Sequence, residues 1–275
     1  MSKEEYLKKL DEAFHDFKFF ESDHHYEYKG ERVGISVTRF IEEFANEFDA
    51  ELVASRVAKK QGKTIEKVLD EWKVKNEVAC EKGSLGHLYA QNKWQGIITL
   101  KELKSCSEAV KKPLETILKQ ADNFYNDFSD KLEHLADEYV IGSNDYNIAS
   151  AVDHLFVDKK TGGLVLVDYK TNSDIHKSER YAKPMKAPLG HLKDCAISHY
   201  YIQLSLYKYF IEEYAKLEIE DMFIVYMSEN IDNYEIIKIP YLKDEVIEIL
   251  ERRYWGLWKK KQKQLKKKKW IYFKK

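Results

Sequence analysis

The spacing of apolar residues divides the chain into stretches of helical and strand period. Tyr6, Leu10, Phe14 and Phe17 recur at three- and four-residue intervals behind Ser2, a capping residue, and predict a first helix over roughly 3–20. His25 to Val33 alternates around Lys29-Gly30 and reads as a β-hairpin. Phe40, Ile41, Phe44 and Phe48 follow Ser36 and Thr38, either of which can start a second helix. A third is expected from Thr64 through Val68, Leu69 and Trp72 as far as Val78. Gly83-Ser84-Leu85-Gly86-His87 then interrupts the period and is expected to open another helix through Trp94. Pro113 suits the first turn of a helix reaching Tyr125.

Beyond that point the period changes to two. Glu138 to Gly142, Asn147 to Val157 and Leu164 to Thr171 predict three strands, the last two joined by the turn-forming run Asp158-Lys159-Lys160-Thr161-Gly162-Gly163. Val165, Leu166 and Val167 fill both faces, as in a strand buried on both sides. Residues 172–196 are polar, contain Pro184 and Pro188, and read as a long loop, a length uncommon outside functional or disordered segments. Ile197 to Leu217 predicts a helix with an aromatic-rich face built from Tyr200, Tyr201, Leu204, Tyr207, Ile211 and Tyr214. Met222 to Met227 and Tyr234 to Ile239 predict two paired strands, and a last helix starts near Leu242-Lys243-Asp244. There is no internal repeat.

A chain of 275 residues, 44% apolar with only 11 Gly and 4 Pro, fits a folded α/β protein with one substantial core or one core plus a small domain. No apolar run is long enough for a signal peptide or a membrane span, so the cytoplasm is the expected location. Cys80, Cys106 and Cys195 are an odd, scattered set that cannot supply four thiolates, and reduced thiols are expected. The net charge of −1 conceals an asymmetry: residues 251–275 carry twelve Lys/Arg against the single acid Glu251, which leaves the other 250 residues at −12. The lysines of this tail, Lys266, Lys267, Lys268 and Lys269, suit a polyanion. The alternative for the tail is an amphipathic helix on which Trp255, Trp258, Gln262 and Leu265 share a stripe.

The candidate chemistry lies in the strand-rich block. Asp168 and Lys170, two apart, leave one face of a buried strand, and Asp153 sits among Val152, Leu155 and Phe156, where a polar group is costly unless paired or holding a metal. Asp168 and Lys170 alone read equally as a surface ion pair or as part of a metal-dependent phosphodiester-cleaving site. Gln203 and Tyr207 are neighbours on one helix face. His87 reads as a packed or capping residue, or as a ligand.

In order, Gly83-Ser84-Leu85-Gly86-His87, Ile148-Ala149-Ser150-Ala151-Val152-Asp153, Val167-Asp168-Tyr169-Lys170-Thr171 and Gln203-Leu204-Ser205-Leu206-Tyr207 resemble the PD-(D/E)XK nuclease superfamily in its RecB-like, phage-type exonuclease branch, over roughly residues 80–230. The resemblance implies a three-layer, restriction-endonuclease-like α/β core over 81–241, a mixed central sheet flanked by helices. An N-terminal helical and hairpin layer would occupy 1–80, and a C-terminal helix with a basic aromatic tail 242–275. It implies a metal-dependent deoxyribonuclease, an exonuclease more than an endonuclease, in DNA repair, recombination or phage DNA processing. A DNA-binding protein with an inactive core is the alternative. Asp153, Asp168 and the backbone carbonyl of Tyr169 would hold Mg²⁺ or Mn²⁺, with His87 adding an imidazole that Mn²⁺ accepts more readily. Lys170 would orient the attacking water and stabilise charge, and Gln203 and Tyr207 would be positioning residues holding water, Lys170 or a phosphate. DNA is the implied partner, with no membrane, and with a homo-oligomer or recombination and repair proteins left open. The location becomes the host cytoplasm if a phage encodes the chain. Two positions depart from the family pattern: Gln91 stands where an acid often follows the histidine, and Ser150 where glycine often precedes the first aspartate. The first leaves open how a second metal would be held. Relatives that clamp an iron–sulfur cluster use four cysteines, so no cluster is expected here.

Overall fold

The computed structural model describes residues 1–97, 105–176, 179 and 182–272, with side chains described as far as 263. Ser2 caps α1 (Lys3–Phe14) through a reciprocal pair of hydrogen bonds with Glu5. The helix ends earlier than its apolar stripe suggests. Phe17 opens a strand, β1 (Phe17–Phe20), because pairing with β2 (His25–Tyr28) competes with helix continuation. The expected hairpin follows, with β3 (Glu31–Arg32) returning through Lys29 and Gly30, both at positive φ. β4 (Ile35–Ser36) leads into α2 (Val37–Glu42), capped by the Ser36 hydroxyl. This helix stops short of Phe48, which is exposed.

α3 (Ala50–Gln61) has no predicted counterpart, and only Ala54 and Ala58 of it are buried, so it carries almost no apolar stripe. α4 (Ile65–Trp94) starts at the expected Thr64 cap but corrects the reading of Gly83-Ser84-Leu85-Gly86-His87, which it traverses without a break. The glycines serve close packing. A Cβ at Gly86 would lie 3.0 Å from Ile117 Cγ2, and one at Gly83 3.2 Å from Thr171 Oγ1. Because α4 crosses residue 80, the expected N-terminal layer and the core share one helix. α5 (Glu108–Phe128) starts ahead of Pro113, which lies inside the helix rather than in its first turn.

The strands come next: β5 (Leu132–Ser143), β6 (Ile148–Asp158) and β7 (Leu164–Lys170), the first two longer than or offset from the predicted segments by a few residues. α6 (Ala196–Phe210) continues into a π-turn, and β8 (Ile219–Tyr226), β9 (Glu235–Lys238) and α7 (Lys243–Tyr272) complete the chain. β6 pairs antiparallel with β5 along one edge. Its other edge is shared, with β4 parallel at Ile148 and Ala149 and β7 antiparallel from His154 to Val157. β8 runs parallel to β7, and β9 antiparallel to β8. The sheet is therefore mixed. Along β7, Leu164 and Leu166 pack with residues of α2, α6 and α7, while Val165, Val167 and Tyr169 pack with Ala90, Ile117 and Phe124 of α4 and α5. Helices thus cover both faces of an α/β sheet. The long loop after β7 is pinned by buried Ile175, Met185 and Leu189, and Asp194 accepts the Asn46 N–H at 2.6 Å. Among the described residues no helix is long and apolar enough to cross a membrane.

Two glycine-to-alanine changes test the packing role of the α4 glycines. Gly256 on α7 has nothing within 4 Å of its would-be Cβ, so G256A gains helix propensity and stabilises by about 0.5–1 kcal/mol. G86A gains the same propensity but crowds the buried Ile117, and the expected net effect is a loss of about 1–2 kcal/mol. Urea denaturation midpoints compare the two directly, and a gain for G86A removes the packing argument.

Candidate functional site

The site lies where β7 leaves β6. The register pairs His154 with Val167, so Asp153 and Asp168 are the next opposed positions, and there the ladder has already ended. The Tyr169 N–H, deprived of a strand partner, donates instead to Asp153 Oδ2 at 3.2 Å. Asp168 is fully buried, with the Lys170 ammonium against its Oδ2, yet neither of its oxygens takes part in a hydrogen bond of ordinary geometry. His87 reaches in from α4, with Nδ1 3.4 Å from Asp153 Oδ2 and its ring in a hydrogen bond with the Tyr169 backbone. His87, Asp153 and the Tyr169 backbone thus meet where the β6–β7 ladder ends, and the Asp168–Lys170 pair lies beside them, although Asp168 is not among the residues whose ligand atoms all lie within 4.8 Å of one another.

Glu138 joins it and escaped the sequence reading. It lies on β5 between Asp137, paired with His154, and Tyr139, paired with Val152, which sets it opposite Asp153. Its backbone is left-handed, with φ +44°. Ligand atoms of His87, Glu138 and Asp153 all lie within 4.8 Å of one another. The available signal was an acid inside a strand running antiparallel to the Asp153 strand. Reading Glu138 as the first residue of that strand hid it.

Burial, and then the neighbouring Asp153 charge, raise the Asp168 carboxyl to about 7, against the opposing pull of Lys170. Burial also pushes Asp153 up, but the charges of His87, Lys170 and His154 and the Tyr169 N–H outweigh it and hold this carboxylate below its ordinary range. Glu138 is raised by burial of its carboxyl and by the Asp153 and Asp168 charges, an effect that water screens because the residue keeps an exposed side. Burial would lower Lys170, but Asp168 and Asp153 overcome that and hold it protonated. Burial lowers His87, against the opposing pull of the Asp153 charge.

Gln203 and Tyr207 are joined to each other and to β6. Gln203 Nε2 donates to the Tyr207 hydroxyl at 2.8 Å, and that hydroxyl pairs with Ser150 Oγ at 2.9 Å. The chain therefore ties α6 to β6 three residues before Asp153 and does not end on Lys170. The α6 residue that touches Lys170 is Tyr200, whose ring centroid lies 4.8 Å from Nζ and whose hydroxyl donates to Asn172. Ser150, the departure from glycine, is what gives Tyr207 its partner.

The side chains of Lys266, Lys267, Lys268 and Lys269 lie outside the described residues. On the described part of α7, Lys259, Lys260, Lys261 and Lys263 are exposed, and Trp255 and Trp258 are 54% and 46% exposed, so these aromatics do not form the buried stripe of an amphipathic helix. Trp258, Lys260 and Lys261 line a groove of about 800 Å³ with Tyr28, Arg32 and Asn147. Cys80, Cys106 and Cys195 are free thiols.

The raised Asp168 pKa has a consequence for stability. An acid whose folded pKa exceeds its unfolded value favours folding fully below the unfolded value, and that contribution is lost as pH rises through about 7. Chelator-treated protein is therefore expected to lose stability between about pH 4 and about pH 7, by the order of a few kcal/mol. D168N is expected to flatten this slope and to exceed the wild type at the alkaline end. Urea denaturation across pH measures it, and identical slopes for the two proteins contradict the charge assignment.

No family model matches this chain, and no curated protein matches it. Solved structures do match, among them one titled "Crystal structure of SSO0001", which is 13% identical and covers 91% of this chain and 84% of that one with a TM-score of 0.36.

Proposed function

We propose that the protein is a Mg²⁺- or Mn²⁺-dependent deoxyribonuclease, acting from DNA ends, on a restriction-endonuclease-like core of the PD-(D/E)XK type. The observation that carries this reading is the meeting of Asp153, Asp168, Lys170 and His87 at the open end of the β6–β7 ladder. These groups are far apart in the sequence and arrive from α4, β6 and β7.

The residues suit a divalent cation on electrostatic grounds. Asp153, Asp168 and Glu138 lie around one ammonium, that of Lys170, which pairs with Asp168, so carboxylates outnumber the fixed cation. Burying unpaired charge costs several kcal/mol per ion, and a cation removes that cost. Asp153, Asp168, His87 and the Tyr169 carbonyl are the residues that would hold it, with Glu138 taking the place of the family's helix acid, absent at Gln91. When bound, such an ion supplies Lewis acidity at the phosphate and acidifies an attacking water.

Lys170, paired with Asp168, is placed to orient the attacking water and to stabilise charge that develops on the phosphate oxygens. The Tyr200 ring fixes where that ammonium sits. Tyr207, through Ser150, holds the β6 segment that carries Asp153, which makes it a positioning residue. The exposed lysines and tryptophans of α7 suit the backbone and bases of the DNA strand.

End-labelled linear duplex, single strands and covalently closed circles, each with Mg²⁺, Mn²⁺ or EDTA, test the reading. Linear substrates are expected to be degraded only with metal, and D153A, D168A and K170A each to lose about 10²-fold or more. Y207F is expected to lose less, roughly tenfold, because it acts through Ser150. Cleavage in EDTA, or full activity of D168A, rules the proposal out. Attack on closed circles replaces exonuclease with endonuclease, and salt-sensitive DNA binding without cleavage leaves only the inactive-core alternative.

A further inference from the structure

The geometry points to a second metal site, independent of the one above, in which His134, Asp137 and His154 hold a zinc-type transition-metal ion. His134 and Asp137 belong to β5 and His154 to β6. His134 Nε2 lies 2.7 Å from Asp137 Oδ2, and His154 Nδ1 lies against Asp137 Oδ1. Ligand atoms of the three residues fall within 4.8 Å of one another.

These contacts are not an ordinary hydrogen-bonded network. Despite their closeness, His134 Nε2, His154 Nδ1 and Asp137 Oδ1 are all buried without a hydrogen-bond partner. The ring nitrogens are not aligned as donors to the carboxylate. Atoms that approach so closely without donor–acceptor alignment have lone pairs free to converge on a shared point, as ligands around an ion do. The side chains of Asp137 and His154 are only 2% and 3% exposed, so water cannot relieve the unmatched atoms.

The surroundings hold the set in place. The His154 ring stacks on Phe156 and meets Tyr169 edge-on at 4.8 Å, and His134 packs edge-on against Phe156. Gln95, the C-cap of α4, donates to Asp137 Oδ2 at 2.7 Å, the type of contact from an outer residue that orients a ligating carboxylate. Two imidazoles and one carboxylate favour a late first-row ion over Mg²⁺ or Ca²⁺, which prefer all-oxygen sets. The site spans the register shift of β5 between His134 and Ala136. An ion there would fasten that bulge to β6.

Chelator-stripped protein titrated with Zn²⁺, and with Co²⁺ as a spectroscopic reporter, tests the inference. The titrations are run in the wild type and in D153N/D168N, whose other site is disabled. D153N/D168N is expected to keep one tightly bound equivalent, to show the visible absorption of nitrogen-coordinated Co²⁺, and to gain thermal stability with Zn²⁺. H134Q in that background is expected to weaken binding tenfold or more. Absence of tight binding in D153N/D168N overturns the inference without relying on any variant of the cluster. Binding that H134Q and D137N both leave unchanged overturns it as well. The outcome is separate from nuclease activity, since either site can be present without the other.

Discussion

A shortage of positive charge at the end of one strand pair governs the centre of this protein. Asp153 and Asp168 oppose each other where the β6–β7 ladder ends, Glu138 stands one strand further along, and Lys170 is the ammonium placed against Asp168. A fold that buries Asp168 completely, with one ammonium shared among several carboxylates, gives up stability at that point. Such a deficit is tolerated where the group has work to do, and titratable groups perturbed by burial and by like charge gather at functional sites. Chemical plausibility and structural cost therefore point to the same residues.

The topology explains why the deficit falls here. β4 and β7 share one edge of β6, β4 at its start and β7 at its end, and the segment between Ala149 and His154 pairs with neither. Backbone groups along that gap need other partners. The Asp153 carboxylate meets the Tyr169 N–H, and the Ser150 hydroxyl meets Tyr207. The gap is also what lets His87 approach, and α4 comes close enough only because Gly83 and Gly86 lack side chains against Thr171 and Ile117. A side chain on either glycine would push the imidazole outward, so the motif glycines are packing requirements rather than helix boundaries.

Much of this was legible from residues alone. The two-sided burial of Val165, Leu166 and Val167, the strand that carries Asp153 and the helix that carries Tyr207 followed from period and composition, because local sequence decides them. What the sequence hid depended on distant partners. Phe17 reads as the next turn of α1 until β2 is there to pair with it. Gly83 and Gly86 read as breakers until Thr171 and Ile117 are packed against them. Glu138 reads as one more strand-end acid, since only the register of β5 on β6 brings it to Asp153. Gln203 and Tyr207 were recognisable as a pair, but their true partner, Ser150, lies fifty-odd residues away on another element.

The register of β5 on β6 decides more than the position of Glu138. Consecutive residues on each strand serve different clusters: Glu138 and Asp153 meet His87, whereas Asp137 and His154 meet each other and His134. Tyr169 touches both, with its backbone beside His87 and Asp153 and its ring against His154. A slip of one residue between β5 and β6 would set Glu138 against His154 or Asp137 against Asp153, according to its direction, and dissolve both clusters at once. The bulge at His134–Ala136 and the left-handed turn of the backbone at Glu138 are the two irregularities that fix this register, and both lie within the stretch that supplies the ligands. The contact between Asp137 and His154 therefore shares its strand pairing with Glu138 and Asp153, so the two clusters rest on one register while each keeps its own ligands.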